Sequence, residues 1–388
     1  MMLLALLLML MAAPAFAQEH QHSMPPADTW QWSAEAQVFG GYNYQYRRFT
    51  DFDEVESQNW VMTTAGRSVG RSRLRLVGMF SLEPFTLRGI GSPQVFQTGE
   101  TYQGAPLIDY QHPHDLFMNL GGELAHSIGS TTLTVNAYAV GPAPLGPPAF
   151  MHRPAAADNP QSPLAHHYLD STHVTPGVIS AGVERSGLSI EAGAFHGREP
   201  DENRLDLDTA ALDSFSARVG YTRGPWSMQV SGGHLKTPER KSPYDESRIT
   251  ASMSYFKGDD RRSLAWTAAF GQNREVFGSL EAYLLEGERV VNANRFYTRL
   301  ENVDKDILDA GFHPIGIAHT HRQSNVTAWT LGYVRDVRTR SWGRLGLGGD
   351  LTVYHVPANL QESYGSPLSF HVFARVRARA GSAAPHHP

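Results

Sequence analysis

Cysteine is absent from the 388 residues. Its absence excludes a disulfide framework, thiolate zinc and iron–sulfur centres, and a cysteine nucleophile. Charge is scarce: charged residues make up 18% of the chain, below the roughly 25% of a typical soluble protein. No basic excess exists either, because 33 Lys and Arg stand against 38 Asp and Glu, a net charge of −5. A chain without surplus cations cannot displace phosphate counterions, which excludes a general nucleic-acid binder. Amphipathic helical periodicity is missing throughout. No phosphate loop, dinucleotide fingerprint or H-E-x-x-H motif occurs. After residue 17 no uncharged apolar run reaches the roughly 20 residues that a membrane helix needs.

The start of the chain reads as an export signal. Met1 to Ala12 is apolar, and Pro14 precedes Ala15-Phe16-Ala17. An apolar core followed by an A-x-A site predicts a signal peptide over 1–17, cleaved before Gln18, although no Lys or Arg precedes the run. A polar lead over 18–29 follows.

From Trp30 onward the period is two. Leu133, Val135, Ala137 and Ala139 alternate with Thr132, Thr134, Asn136 and Tyr138. Phe215, Ala217, Val219 and Tyr221 alternate with Ser214, Ser216, Arg218 and Gly220. Trp226, Met228, Val230, Met253 and Val372 belong to similar segments. This is strand periodicity. It predicts about 16 strands, near 30–47, 71–82, 85–97, 115–126, 130–141, 173–185, 187–198, 213–223, 226–236, 247–257, 262–274, 279–290, 295–305, 323–337, 344–356 and 366–379. Short turns, as at Ser127-Ile128-Gly129 and Arg223-Gly224-Pro225, alternate with longer loops, as at 48–70, 98–114 and 142–172. Leu82-Glu83-Pro84 reads as one of the short turns.

Even strand number, segments of about ten alternating residues, and short turns opposite long loops are the pattern of a single transmembrane antiparallel β-barrel. The chain resembles bacterial outer-membrane β-barrels of porin type, over nearly all of 30–380. The resemblance implies a barrel in the outer membrane, surrounded by its lipid, that passes small hydrophilic solutes or ions. A homotrimer is compatible with that size, and no residue pattern requires it. Residues 381–388 follow the last strand as a tail, whereas such barrels usually end on an aromatic residue.

If the apolar parity faces lipid, the other faces the lumen. It carries Arg71, Arg73, Arg75, Glu123, Glu191, Arg218, Arg248, Arg299, Glu301, Asp350 and Arg375. Mixed charge suits the lining of a water-filled pore, and would equally suit a wall of paired charges. The Pro-rich stretch Pro142 to Pro163, with Arg153 and Asp158, is long enough to fold into the lumen as a constriction.

Histidine is abundant, at 18 residues. His20, His22, His386 and His387 lie in the tails. Of the 14 others, 13 fall on the long-loop side and only His126 beside a short turn. His112, His114, His166, His167 and His173 flank two strands separated by one other. With Asp115 or Asp170 they offer ligands for a divalent transition metal, zinc or copper. Neutral imidazole is needed, so affinity is expected to weaken below about pH 6.5. None of the spacings matches a defined zinc motif.

The sequence thus predicts a porin-like outer-membrane channel with a histidine-rich, metal-binding outer mouth. A non-conducting barrel that sequesters divalent metal is the alternative. An outer-membrane hydrolase is the remaining one. His321-Arg322-Gln323-Ser324-Asn325 resembles the His-x-Ser-Asn stretch of the outer-membrane phospholipase. A His and a Ser three apart, however, point to opposite faces of a strand. No enzyme is expected.

Overall fold

The computed structural model describes residues 28–381, except 209, 241, 277 and 308–322. Residues 1–27 and 382–388, and with them the leader, His20, His22, His386 and His387, as well as His313, His319 and His321, lie outside the described residues. The strands run β1 (Gln31–Arg47), β2 (Thr50–Glu56), β3 (Asn59–Val69), β4 (Ser72–Phe80), β5 (Ser92–Tyr102), β6 (Ala105–Gln111), β7 (Phe117–Ile128), β8 (Thr131–Gly141), β9 (Thr175–Arg185) and β10 (Leu188–Phe195). They continue with β11 (Ser214–Arg223), β12 (Trp226–Leu235), β13 (Glu246–Gly258), β14 (Arg262–Glu275), β15 (Gly278–Val291), β16 (Asn294–Lys305), β17 (Ser324–Arg340), β18 (Gly343–His355) and β19 (Leu368–Gly381).

All except β5 and β6 form one antiparallel sheet, closed by β1 on β19 from Ser33↔Gly381 to Tyr46↔Leu368. β2 and β3 occupy one wall position, since β2 pairs with the upper half of β1 and β3 with its lower half. The wall therefore has 16 strands. Closure pairs every wall strand on both sides and removes the exposed edge that lipid could not satisfy.

The strand count agrees with the sequence reading, but two of its members differ. The expected loop 48–70 is wall strand, β2 and β3. Asp51 and Asp53, exposed on the outward parity, disguised it. β1 and β2 stand taller than the membrane requires: 17 residues of β1 far exceed the 9–11 needed to span. The expected wall strand 85–97 instead leaves the wall. Leu82-Glu83-Pro84 is not a turn at the short-turn end; Glu83–Thr86 is a helical turn at the opposite end. Val95 and Phe96, fully buried, face the lumen contents rather than lipid.

Outward positions are apolar and exposed, including Leu133, Val135, Ile190, Phe215, Val219, Val230 and Val372. Aromatic residues mark both borders. Trp226, Tyr255 and Trp266 cluster beside the short turns, with ring centres 4.9–6.3 Å apart. Tyr42, Tyr44 and Phe370 cluster near the other end. On β1, Trp32 and Tyr44 are 12 residues apart, about 29 Å along the normal at 45° tilt, close to the height of a membrane-barrel apolar band.

Candidate functional site

Two segments between wall strands turn inward. The first, 142–174, connects β8 to β9, and most of its residues are buried. Its prolines cannot join a strand ladder and lack the donor that would need a partner. Gly146 lets the segment cross itself: its φ is +83°, and a Cβ there would lie 1.8 Å from the Leu169 carbonyl oxygen.

Buried ion pairs hold this segment to the wall. Arg153 binds Asp170 within the segment at 2.5 Å and Glu286 of β15 at 2.6 Å. Asp158 faces three wall cations, Arg375, Arg377 and Arg295. Those three arginines hold the Asp158 carboxyl far below the usual carboxylate range, outweighing its burial. Higher up, Glu301 accepts the Ala165 N–H at 3.0 Å, and Arg248 donates to Ser171 at 2.9 Å. The segment thus reaches down to the clamp at Asp158 and returns to the long-loop end.

The second segment is the β5–β6 hairpin, which is held differently. Phe96 stacks on Tyr364, ring centres 4.3 Å apart, and meets Tyr354 edge-on. Phe96 sits at φ +68°, and Asp109 secures that turn by accepting its N–H at 2.8 Å. Asp109 also binds Arg47 at 2.8 Å.

Where the two segments meet, five imidazoles form a chain. Ring centres of His112 and His167 are 5.9 Å apart. His167–His166, His166–His173 and His173–His114 are each 5.3 Å apart. Gly99 makes the approach possible, since a Cβ there would lie 2.6 Å from the His167 ring. Each ring is oriented through Nδ1. His114 bonds Glu83 at 2.8 Å, His166 bonds Asp170 at 2.7 Å, and His167 bonds Glu199 at 3.2 Å. His173 bonds the Asp170 carbonyl at 2.7 Å, and His112 the Pro113 carbonyl at 3.0 Å. His112 also meets Glu100 through Nε2 at 3.0 Å. The Nε2 atoms of His114 and His173 are buried with no hydrogen-bond partner.

Burial sets the protonation here. It pushes His166 and His167 down to about 4, despite the Asp170 carboxylate beside the first and the Glu239 and Glu100 carboxylates acting on the second. His173 is pushed well below its ordinary value by burial and by the neighbouring His166 and His114. For His114 burial is the largest single influence, but the Glu83 carboxylate and the bond to it prevail, so its value is raised. The expected weakening of metal affinity near pH 6.5 therefore does not carry over to the three depressed rings.

The five histidines named from the sequence come together, but enclosed in the lumen rather than on an open rim. Asp170 is among them. Asp115 is turned toward Arg204, at 3.1 Å. Glu83, Glu100 and Glu199, which orient the rings, were not found from the sequence; they lie 12 to 32 residues from their partners, and no local motif marks them. A tighter carboxylate group, Asp201, Asp206 and Asp208, has ligand atoms within 4.8 Å of one another. The imidazole nitrogens are not gathered that closely among the described residues.

The charged inner parity is largely paired. Arg75 binds Glu123 at 2.7 Å and Arg218 binds Glu191 at 2.8 Å. Arg248 meets Glu246 at 2.9 Å, and Arg299 meets Glu286 at 3.5 Å. Asp350 bonds His371 and Tyr297. Arg375 holds Asp158 and Asp336. Arg71 departs from the expectation: it lies exposed in the turn between β3 and β4, where the chain reverses before the wall resumes. Arg73 lies on the inner parity of β4, partly buried.

No protein-family model matches the chain, and no curated protein sequence matches it. Solved structures do. An anion-selective porin from Comamonas acidovorans is 13% identical, with a TM-score of 0.54, over 90% of this chain and 100% of that one. OmpF of Salmonella typhi, solved with daunomycin, is 7% identical, with a TM-score of 0.53, over 90% and 97%. OprB of Pseudomonas putida is 10% identical, with a TM-score of 0.51, over 91% and 94%. The chain has the porin fold. At these identities the likeness is one of architecture: a closed 16-stranded barrel of porin type, with its own lumen contents.

Proposed function

We propose that the protein is an outer-membrane channel for small hydrophilic solutes or ions, constricted by its two inward segments. The observation that carries this reading is the contrast between the faces of one closed wall. Its outer parity is apolar and exposed; its inner parity is charged, and the charges continue into 142–174 through Asp158 and Arg153. A polar interior is what a water-filled solute path requires. The inner residues Arg73, Arg75, Glu123, Glu191, Arg218, Arg248, Arg299, Glu301, Asp350 and Arg375 form its wall in this reading. A cavity of about 40 Å³ remains beside His112, His114, Glu83 and Met151, enough for water or a small ion.

Planar-bilayer conductance tests the proposal. The wild-type protein is expected to give small, discrete steps. Replacing Arg153 and Asp158 together by Ala unties the 142–174 segment and is expected to raise the step size several-fold. If neither protein conducts while both fold as heat-modifiable barrels, the channel reading fails.

A further inference from the structure

We propose that His114, His173 and His166 form a binding site for a borderline divalent transition-metal ion of the zinc and copper class, within the lumen of the barrel. The proposal goes beyond the channel reading and holds whether or not solutes pass.

The first argument is an unmet demand for a partner. The Nδ1 of His173 faces a backbone carbonyl, which can only accept, so Nδ1 carries the hydrogen. The Nδ1 atoms of His114 and His166 face carboxylates, which act in the same way. In the neutral ring each Nε2 therefore presents a lone pair. For His114 and His173 that atom is buried without a hydrogen-bond partner. A buried polar atom left unmet costs about 1–3 kcal/mol and calls for a specific explanation. A metal ion supplies it.

The second argument is spacing. Two imidazoles bound through nitrogen to one tetrahedral ion at 2.0–2.1 Å hold their ring centres about 5 Å apart. His114–His173 and His173–His166 are both at 5.3 Å, with His173 in the middle. Two of the three ring pairs thus stand at the spacing that a shared ion sets.

The third argument is the surroundings of the rings. Metal-binding histidines almost always donate their other N–H to a carboxylate or carbonyl, which fixes the tautomer and strengthens the ligand. Here Glu83 does so for His114, while Asp170 does so for His166 with its carboxylate and for His173 with its carbonyl. Imidazole ligands without thiolate or clustered carboxylate suit zinc or copper rather than calcium or magnesium. The small cavity bordered by His114 leaves room for water or an exchangeable ligand at the ion.

The test is calorimetric titration of untagged, detergent-solubilised protein with zinc chloride at pH 7. One saturable site per chain is expected. His114→Gln and His173→Gln should each weaken it at least tenfold, and Glu83→Gln by roughly 10–100-fold. A variant with His20, His22, His386 and His387 replaced by Ala should bind as the wild type does, since its losses are confined to the tails. Absence of saturable binding, or binding unmoved by either glutamine substitution, overturns the proposal. Should the variants fail to fold, X-ray absorption of the zinc-loaded wild type decides: two or three imidazole ligands support the site, and one or none overturns it.

Discussion

The two inward segments fill the same lumen and differ in what chiefly holds them. The 142–174 segment is clamped by charge, with Asp158 among three wall arginines and Arg153 between two carboxylates. The β5–β6 hairpin is held by shape: Phe96 lies in an aromatic and aliphatic cluster with Tyr364, Tyr354 and Leu360. The difference explains which of them could be read in advance. A long, proline-rich stretch carrying an isolated Arg and Asp does not look like wall, and its inward course followed from length and composition. The hairpin's apolar residues look like a lipid-facing strand, because period-two reading cannot tell lipid from a packed interior.

The clamp gives the largest expected effect. Asp158→Ala leaves Arg295, Arg375 and Arg377 facing one another without their shared anion. Removing one partner from a buried ion network typically costs roughly 3–5 kcal/mol. Equilibrium unfolding in lipid vesicles measures it. A loss under 1 kcal/mol would mean that water or Asp336, which also binds Arg375, compensates, and that the segment is not held by charge.

Phe96→Ala probes the hairpin. Emptying a fully buried phenylalanine site is expected to cost about 3–4 kcal/mol, with little dependence on salt. If Asp158→Ala and Phe96→Ala respond alike to ionic strength and to conservative repair, by Asp158→Glu and Phe96→Leu respectively, the contrast between the segments is wrong.

The wall itself was legible where lipid dictates the residues. From β7 onward each expected strand is found, displaced by a few residues at most, because the outward parity must be apolar along the whole membrane band. Above that band the rule lapses, which is why β2, with Asp51 and Asp53 outward, was read as loop. The histidines were legible as a group, but their depth was not, since nothing local marks Glu83, Glu199 or Gly99 as their neighbours. Parity can be tested on one strand: Val135→Arg, on the exposed face of β8, is expected to cost about 2–4 kcal/mol, and Thr134→Arg much less. Ser216, which also faces inward, is not an equivalent control. Leu145 of the inward segment packs close by, at Gly233 beside it, so an arginine there would meet protein rather than water. Equal losses at residues 134 and 135, measured by unfolding in lipid, would show that the faces are misassigned.

The smallest expected effect concerns acid and the metal-free protein. His166 and His167 are held neutral by burial, with values near 4, whereas an unfolded histidine titrates near 6.5. Between those values the unfolded chain takes up protons that the folded one does not, so stability falls as pH falls. Above about 7.5 both states are neutral and the two rings contribute no pH dependence. His114 acts in the opposite sense, because Glu83 raises its value and folding gains as it protonates. From pH 7.5 to 6 the His166 and His167 rings together should contribute a loss of about 1.5 kcal/mol, and His173, also held down by burial, acts in the same sense. Replacing His166 and His167 by Gln should reduce that slope or reverse it, while Asp158→Ala and Phe96→Ala should leave it in place. A slope unchanged by the double substitution would locate the acid-sensitive groups away from these two rings.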